Sequence, residues 1–126
     1  MTMEIIGAVE LVADMGRAVA GVVAAATEVT QANGDELREE WKANARRTAG
    51  KHGKWYPSSI TSERVPEFAA VTVEIGPDKA RRQGAMGPGF EYGSIHQPPH
   101  LDGQKATDAV EPKFIAKLEL AVARLL

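Results

Sequence analysis

Residues 8–48 read AVELVADMGRAVAGVVAAATEVTQANGDELREEWKANARRT, and the spacing of the apolar positions in this stretch decides the fold. Leu11, Met15, Val19, Val22, Ala26, Val29, Asn33, Leu37, Trp41 and Ala45 follow one another in steps of three or four. Steps of that size lay side chains along one face of an α-helix. Asn33-Gly34 ordinarily marks a turn. The apolar face keeps its phase across the pair, and a glycine inside a helix costs only about 1 kcal/mol relative to alanine. The favoured reading is one long helix over about residues 8–48, straight or kinked. The alternative is two helices joined at Asn33-Gly34, the second capped by Asn33 or Asp35. A continuous helix of this length would span ~60 Å at 1.5 Å per residue. That exceeds what a compact domain of 126 residues covers, so part of its surface is expected to meet another chain.

Working outward, Met1 to Ile6 reads as a short strand or a lead-in. Ala49 to Lys54 is a basic, glycine-punctuated loop, followed by Trp55-Tyr56-Pro57. Phe68 to Ile75 alternates, with Ala69, Val71, Val73 and Ile75 on one face, which is a strand pattern. Pro66 limits any strand before it to an edge. Pro77 to Gly89 reads as a long loop and Phe90 to Ile95 as the next strand, so the pair would make a hairpin with a 77–89 contact arm. Pro98-Pro99 interrupts both helix and ladder. Lys105 to Val110 reads as a helical turn, and Pro112 suits the first turn of a last helix with Phe114, Leu118, Val122 and Leu125 on its apolar face. The expected fold class is α+β in a single domain, residues 1–126. A long helix over about 8–48 packs on a small antiparallel sheet with its hairpin arm, about 55–96, and a C-terminal helix follows over about 105–125.

Composition is that of an ordinary globular domain, 44% hydrophobic and 25% charged. Aromatics make up only 6%, so the core leans on Ala and Val and on close helix packing. There is no cysteine, which excludes disulfides, thiolate metal sites and a cysteine nucleophile and fits a reducing cytoplasm. The first ten residues carry Glu4 and Glu10 and no basic cluster, unlike a signal peptide. The longest uncharged apolar run, Ala18 to Ala26, is far short of the ~20 residues of a membrane span. The net charge of −2 is unevenly spread. Lys42, Arg46, Arg47, Lys51 and Lys54 lie in a stretch without acids, and Lys79, Arg81 and Arg82 form a second basic group. Residues 1–34 set Glu4, Glu10, Asp14 and Glu28 against Arg17 alone.

Three chemical motifs are worth weighing. His96, His100 and Asp102 are of the right type for a transition metal. Pro98-Pro99 forbids the helix that would align the two histidines, and an ordinary polar turn is the favoured reading. His52 has no Ser or Asp placed beside it by a recognisable motif, and Ser58-Ser59 lacks the context of a nucleophile elbow. Gly84, Gly87 and Gly89 match neither the P-loop nor the dinucleotide fingerprint. No catalytic residue and no cofactor is expected. The basic segment 42–56, with Trp55 and Tyr56 at its end, has the residue types that meet phosphates. The expected interface residues are Trp41, Arg46, Arg47, Lys51, Lys54, Trp55, Lys79, Arg81 and Arg82.

The order of elements also carries a resemblance. A long helix and a basic segment lead into Pro57-Ser58-Ser59-Ile60; then come Phe90-Glu91-Tyr92-Gly93, Pro98-Pro99-His100-Leu101 and a last helix. This is similar to the tail-component, or head–tail connector, family of long-tailed bacteriophages, although Lys54-Trp55-Tyr56 stands where that family has Thr-Gly. The resemblance implies a non-enzymatic virion protein of the neck, made in the host cytoplasm and not in a membrane. It would be a minor tail or tail-completion protein that joins head connector to tail. It implies a homo-oligomeric ring, sixfold or twelvefold, touching connector, stopper or tail-terminator proteins; the basic residues are expected to meet neighbouring proteins across the ring, with contact to genomic DNA the less favoured alternative. The alternative function is a small nucleic-acid-binding protein using residues 42–56.

Overall fold

The computed structural model describes residues 2–65 and 71–125, with side chains from residue 13 onward. The fold is α+β. Helix α1 runs Thr2–Thr48, strands β1 (Ile60–Val65) and β2 (Thr72–Pro77) pair, a short helix α2 covers Gly87–Tyr92, and α3 covers Asp102–Ala123. Short 3₁₀ turns at Lys51–Gly53, Pro57–Ser59 and Gly84–Met86 connect them.

Helix α1 is continuous through Asn33-Gly34, and its 47 residues span roughly 70 Å. It begins at Thr2, so the N-terminal residues are helical and not a strand. The sheet supplies the reason for glycine at 34. A Cβ there would lie 2.7 Å from Val73 Cγ1, so the missing side chain lets α1 approach β2. Arg46 and Arg47 sit in the last turn of α1, where cations are favoured by the helix dipole.

β1 and β2 form a two-stranded antiparallel hairpin with Ile60 opposite Pro77 and Val65 opposite Thr72. Val73 and Ile75 turn toward α1, as the alternation predicts. The expected strand began at Phe68; residues 68–70 lie outside the described residues, and β2 extends to Pro77 instead. Its partner is residues 60–65 and not 90–95. The expected strand Phe90–Ile95 is wrong for a physical reason. Pro88 falls at the start of a helical turn, where its fixed φ and missing N–H suit α2. Phe90 then stacks on Tyr56 with ring centroids 4.5 Å apart.

The 77–89 arm is also corrected. It folds back instead of projecting as a hairpin tip. Asp78 N–H donates to Ser59 O (2.8 Å), Arg81 N–H to Asp78 O (3.0 Å) and Gly84 N–H to Arg81 O (3.0 Å), which satisfies the backbone locally.

Helix α3 starts at Asp102, three residues before the expected 105, and carries Pro112 in its interior. Pro112 and Asp108 both lie on the exposed side of α3, where a helical hydrogen bond lost at proline is least costly. α3 runs antiparallel to α1. Asn44 Nδ2 donates to Asp102 O at one end (3.1 Å), Lys113 and Lys117 reach Glu36 in the middle, and Leu125 rests against Gly21 at the other. The core is small: Ala45, Tyr56, Ile60 and Phe90 are buried together, with Trp41, Ala49 and Ile75 packed on them. Ala106 and Val110 bury the near end of α3. No helix among the described residues is long and apolar enough to cross a membrane.

Candidate interaction surface

Lys54 and Arg82, far apart in sequence, meet at Trp55 across a link made by one side chain. Gln83 adopts a left-handed backbone (φ 64°), which turns its amide back toward the loop after α1. Its Oε1 accepts from the Trp55 N–H (2.8 Å) and its Nε2 donates to the His52 carbonyl (2.8 Å). This two-way amide clasp joins residues 52–55 to residues 81–83. On the exposed side, the Arg82 guanidinium lies 4.4 Å from the Trp55 ring centroid, and Lys54 Nζ lies 5.3 Å from it. Such cation–π contacts contribute ~0.5–1 kcal/mol at exposed sites. Trp55 is 39% exposed, so the ring is a platform with cations on it and not a core residue.

The remaining expected interface residues divide. Lys51 and Lys79 are exposed, and Arg81 is exposed while pairing with Asp78 (3.7 Å). Arg46 and Arg47 are exposed on α1, and Arg47 donates to Asn44 Oδ1. Lys42, in the same basic stretch though not among those residues, is half-buried. Trp41 packs inside the molecule, its indole against Gly76 of β2 and Gly103 of α3. Its position on the apolar face of α1 is the one the sequence predicts, and its contacts are intramolecular.

The histidine constellation does not come together. His96 is exposed, while His100 lies tilted beside Phe90 (5.8 Å between centroids) with Nδ1 3.9 Å from Asp102 Oδ2. Asp102 is buried and accepts from Thr48 Oγ1 (2.6 Å), so its carboxylate pins the start of α3 to the end of α1. Among the described residues no group of three or more His, Cys, Asp or Glu side chains is arranged to hold a metal ion.

Sequence reasoning missed what surrounds Asp102. The Gly103 N–H donates to Glu91 Oε1 (2.7 Å) and Oε2 (3.1 Å), so a buried carboxylate on α2 satisfies an open donor at the start of α3. His100 and Leu101 N–H groups donate to the last carbonyls of α2, at Phe90 and Glu91. Tyr56 lies in the same pocket. Burial pushes its phenol up to about 12; the charges of Glu91 and Asp102 add to the rise, and the neighbouring Trp41 indole N–H opposes it. The Tyr56 hydroxyl and that N–H approach one another without closing a hydrogen bond. No local pattern announces this junction, since its members lie on four separate segments.

A second surface lies at the far end of α1. Toward the N-terminus of α1, Val23, Val19 and Met15 follow one another at four-residue steps. These three are 55%, 63% and 60% exposed, and every residue from 13 to 20 is exposed. No protein-family model, curated protein or solved structure matches this chain.

Proposed function

We propose that this chain is a non-enzymatic virion structural protein of the phage neck, joining the head connector to the tail by assembling into a ring. The observation that supports it is the N-terminal part of α1, where Val23, Val19 and Met15 stand exposed at four-residue spacing. Fully burying an exposed aliphatic side chain contributes ~1.5–3 kcal/mol, and these three are a little over half exposed, so covering them would contribute on the order of 3–5 kcal/mol. Association itself costs an estimated 4–15 kcal/mol in lost freedom of motion. One pairwise contact of this size is therefore weak, whereas a closed ring, in which each subunit contacts two neighbours and seats on a connector, holds together. The chain then stays monomeric in dilute solution and assembles on its neighbours.

The resemblance of Pro57-Ser58-Ser59-Ile60, Phe90-Glu91-Tyr92-Gly93 and Pro98-Pro99-His100-Leu101 to the head–tail connector family supports the same reading. Cryo-electron microscopy of purified particles tests it. Density for a ring of copies between head and tail, with α1 of one copy against its neighbour, is the expected result. Absence of the chain from the particle overturns the proposal.

A further inference from the structure

We infer that the surface built around Trp55 and Arg82 binds the phosphodiester backbone of a nucleic acid without sequence preference. The inference does not depend on the neck reading, because it rests on a different face of the molecule. Three observations carry it. The Gln83 clasp brings Lys54 and Arg82 to one aromatic ring across 28 residues of sequence and fixes the distance between their loops. Lys51 and Lys79 are exposed on the same two segments; Asp78 pairs with Arg81, and Lys79 shares a groove with Glu63 and Glu74, so the positive surface centres on Lys54 and Arg82. The Arg82 guanidinium carbon lies 4.4 Å from the Trp55 ring centroid and the residue is exposed, so its N–H groups remain open to oxygen acceptors.

The residue types favour a nucleic acid over an acidic protein. Protein–protein interfaces are depleted in lysine and gather around an apolar centre. Here Trp55 is the aromatic centre and it is already flanked by cations. Grooves that track single strands combine cations with exposed aromatic rings in this way, and phosphates draw most of the contacts made to any nucleic acid.

Binding of fluorescently labelled 30-mer DNA, as duplex and as single strand, measured by anisotropy over a salt series, tests the inference. A patch meeting three or four phosphates gives a log–log salt slope of roughly −3 on duplex. Lys54→Glu and Arg82→Glu are expected to weaken binding about tenfold or more and to flatten the slope by about one each. Gln83→Ala, which keeps every charge but releases the clasp, is expected to weaken binding several-fold. Arg17→Glu, which changes net charge equally on distant α1, is the control and is expected to leave affinity within about twofold. Circular dichroism establishes that each variant is folded. The inference is overturned if Arg17→Glu weakens binding as much as Arg82→Glu, or if neither DNA form binds at low salt. Equal competition by polyglutamate, or binding to anionic vesicles in preference to DNA, overturns it as well.

Discussion

Gly103→Ala should destabilise the protein although alanine is the better helix former. A Cβ at 103 would lie 2.7 Å from Trp41 Cζ2, 2.8 Å from Cε2 and 2.9 Å from Cη2. Carbon atoms pack best at about 3.5–4.0 Å, so all three contacts are too short by more than half an ångström. The indole is rigid and is itself packed against the core cluster, so it cannot swing aside like the end of a flexible chain. Gly103 is also held in place by its N–H bonds to Glu91. Overpacking of this kind costs ~1–3 kcal/mol. The gain from replacing glycine is at most about 1 kcal/mol in a helix interior and smaller in a first turn. The expected net loss is about 1–2 kcal/mol, or a fall in Tm of roughly 3–10 °C for a domain of this size. Urea denaturation followed by circular dichroism measures it. Gly76→Ala is the matched comparison, since a Cβ there meets Trp41 at an ordinary 3.7 Å and should change stability much less. Trp41→Phe removes Cζ2 and Cη2, so the double variant should show a favourable coupling of about 1 kcal/mol. Unchanged or increased stability of Gly103→Ala, or strict additivity with Trp41→Phe, would refute the close packing of α3 on Trp41.

Three further outcomes follow from the same geometry. Asp102→Ala removes the acceptor of the Thr48 hydroxyl and the buried link between α1 and α3, and is expected to cost ~1.5–3 kcal/mol in chemical denaturation. Glu63 and Glu74 face one another directly across the hairpin, so Glu74→Lys turns a like-charge pair into an opposite one and should add ~0.2–1 kcal/mol at low salt. Because the folded-state pKa of Tyr56 is raised to about 12, its neutral form is favoured by folding. That contribution is complete below the unfolded value near 10 and is lost as pH rises from there toward 12. Tyr56→Phe should therefore flatten the alkaline fall in stability over that window while changing little at pH 7, a result read from denaturation midpoints across the pH series.

The carriers of each segment's burial were legible in the sequence. The three-and-four spacing from Leu11 to Ala45 fixed α1 through Gly34, because one helix face must stay apolar to pack and periodicity records that requirement directly. Val73 and Ile75 were legible as the inner face of a strand for the same reason. Phe90-Glu91-Tyr92 was misread, since three residues fit either period and the deciding partner, Tyr56, is far away in the chain. The same holds for Pro112, whose place inside α3 is on the exposed side of that helix. The candidate surface divides along this line too. Composition showed two basic groups, and only the Gln83 amide, reaching across to Trp55 and His52, brings one member of each, Lys54 and Arg82, to the same ring. His96, His100 and Asp102 are neighbours in sequence, yet the Thr48 hydroxyl draws Asp102 into the α1–α3 junction while His96 stays outside. A residue's own pattern shows that it will be buried or charged. What it is buried against depends on contacts tens of residues apart, and local periodicity carries no record of those.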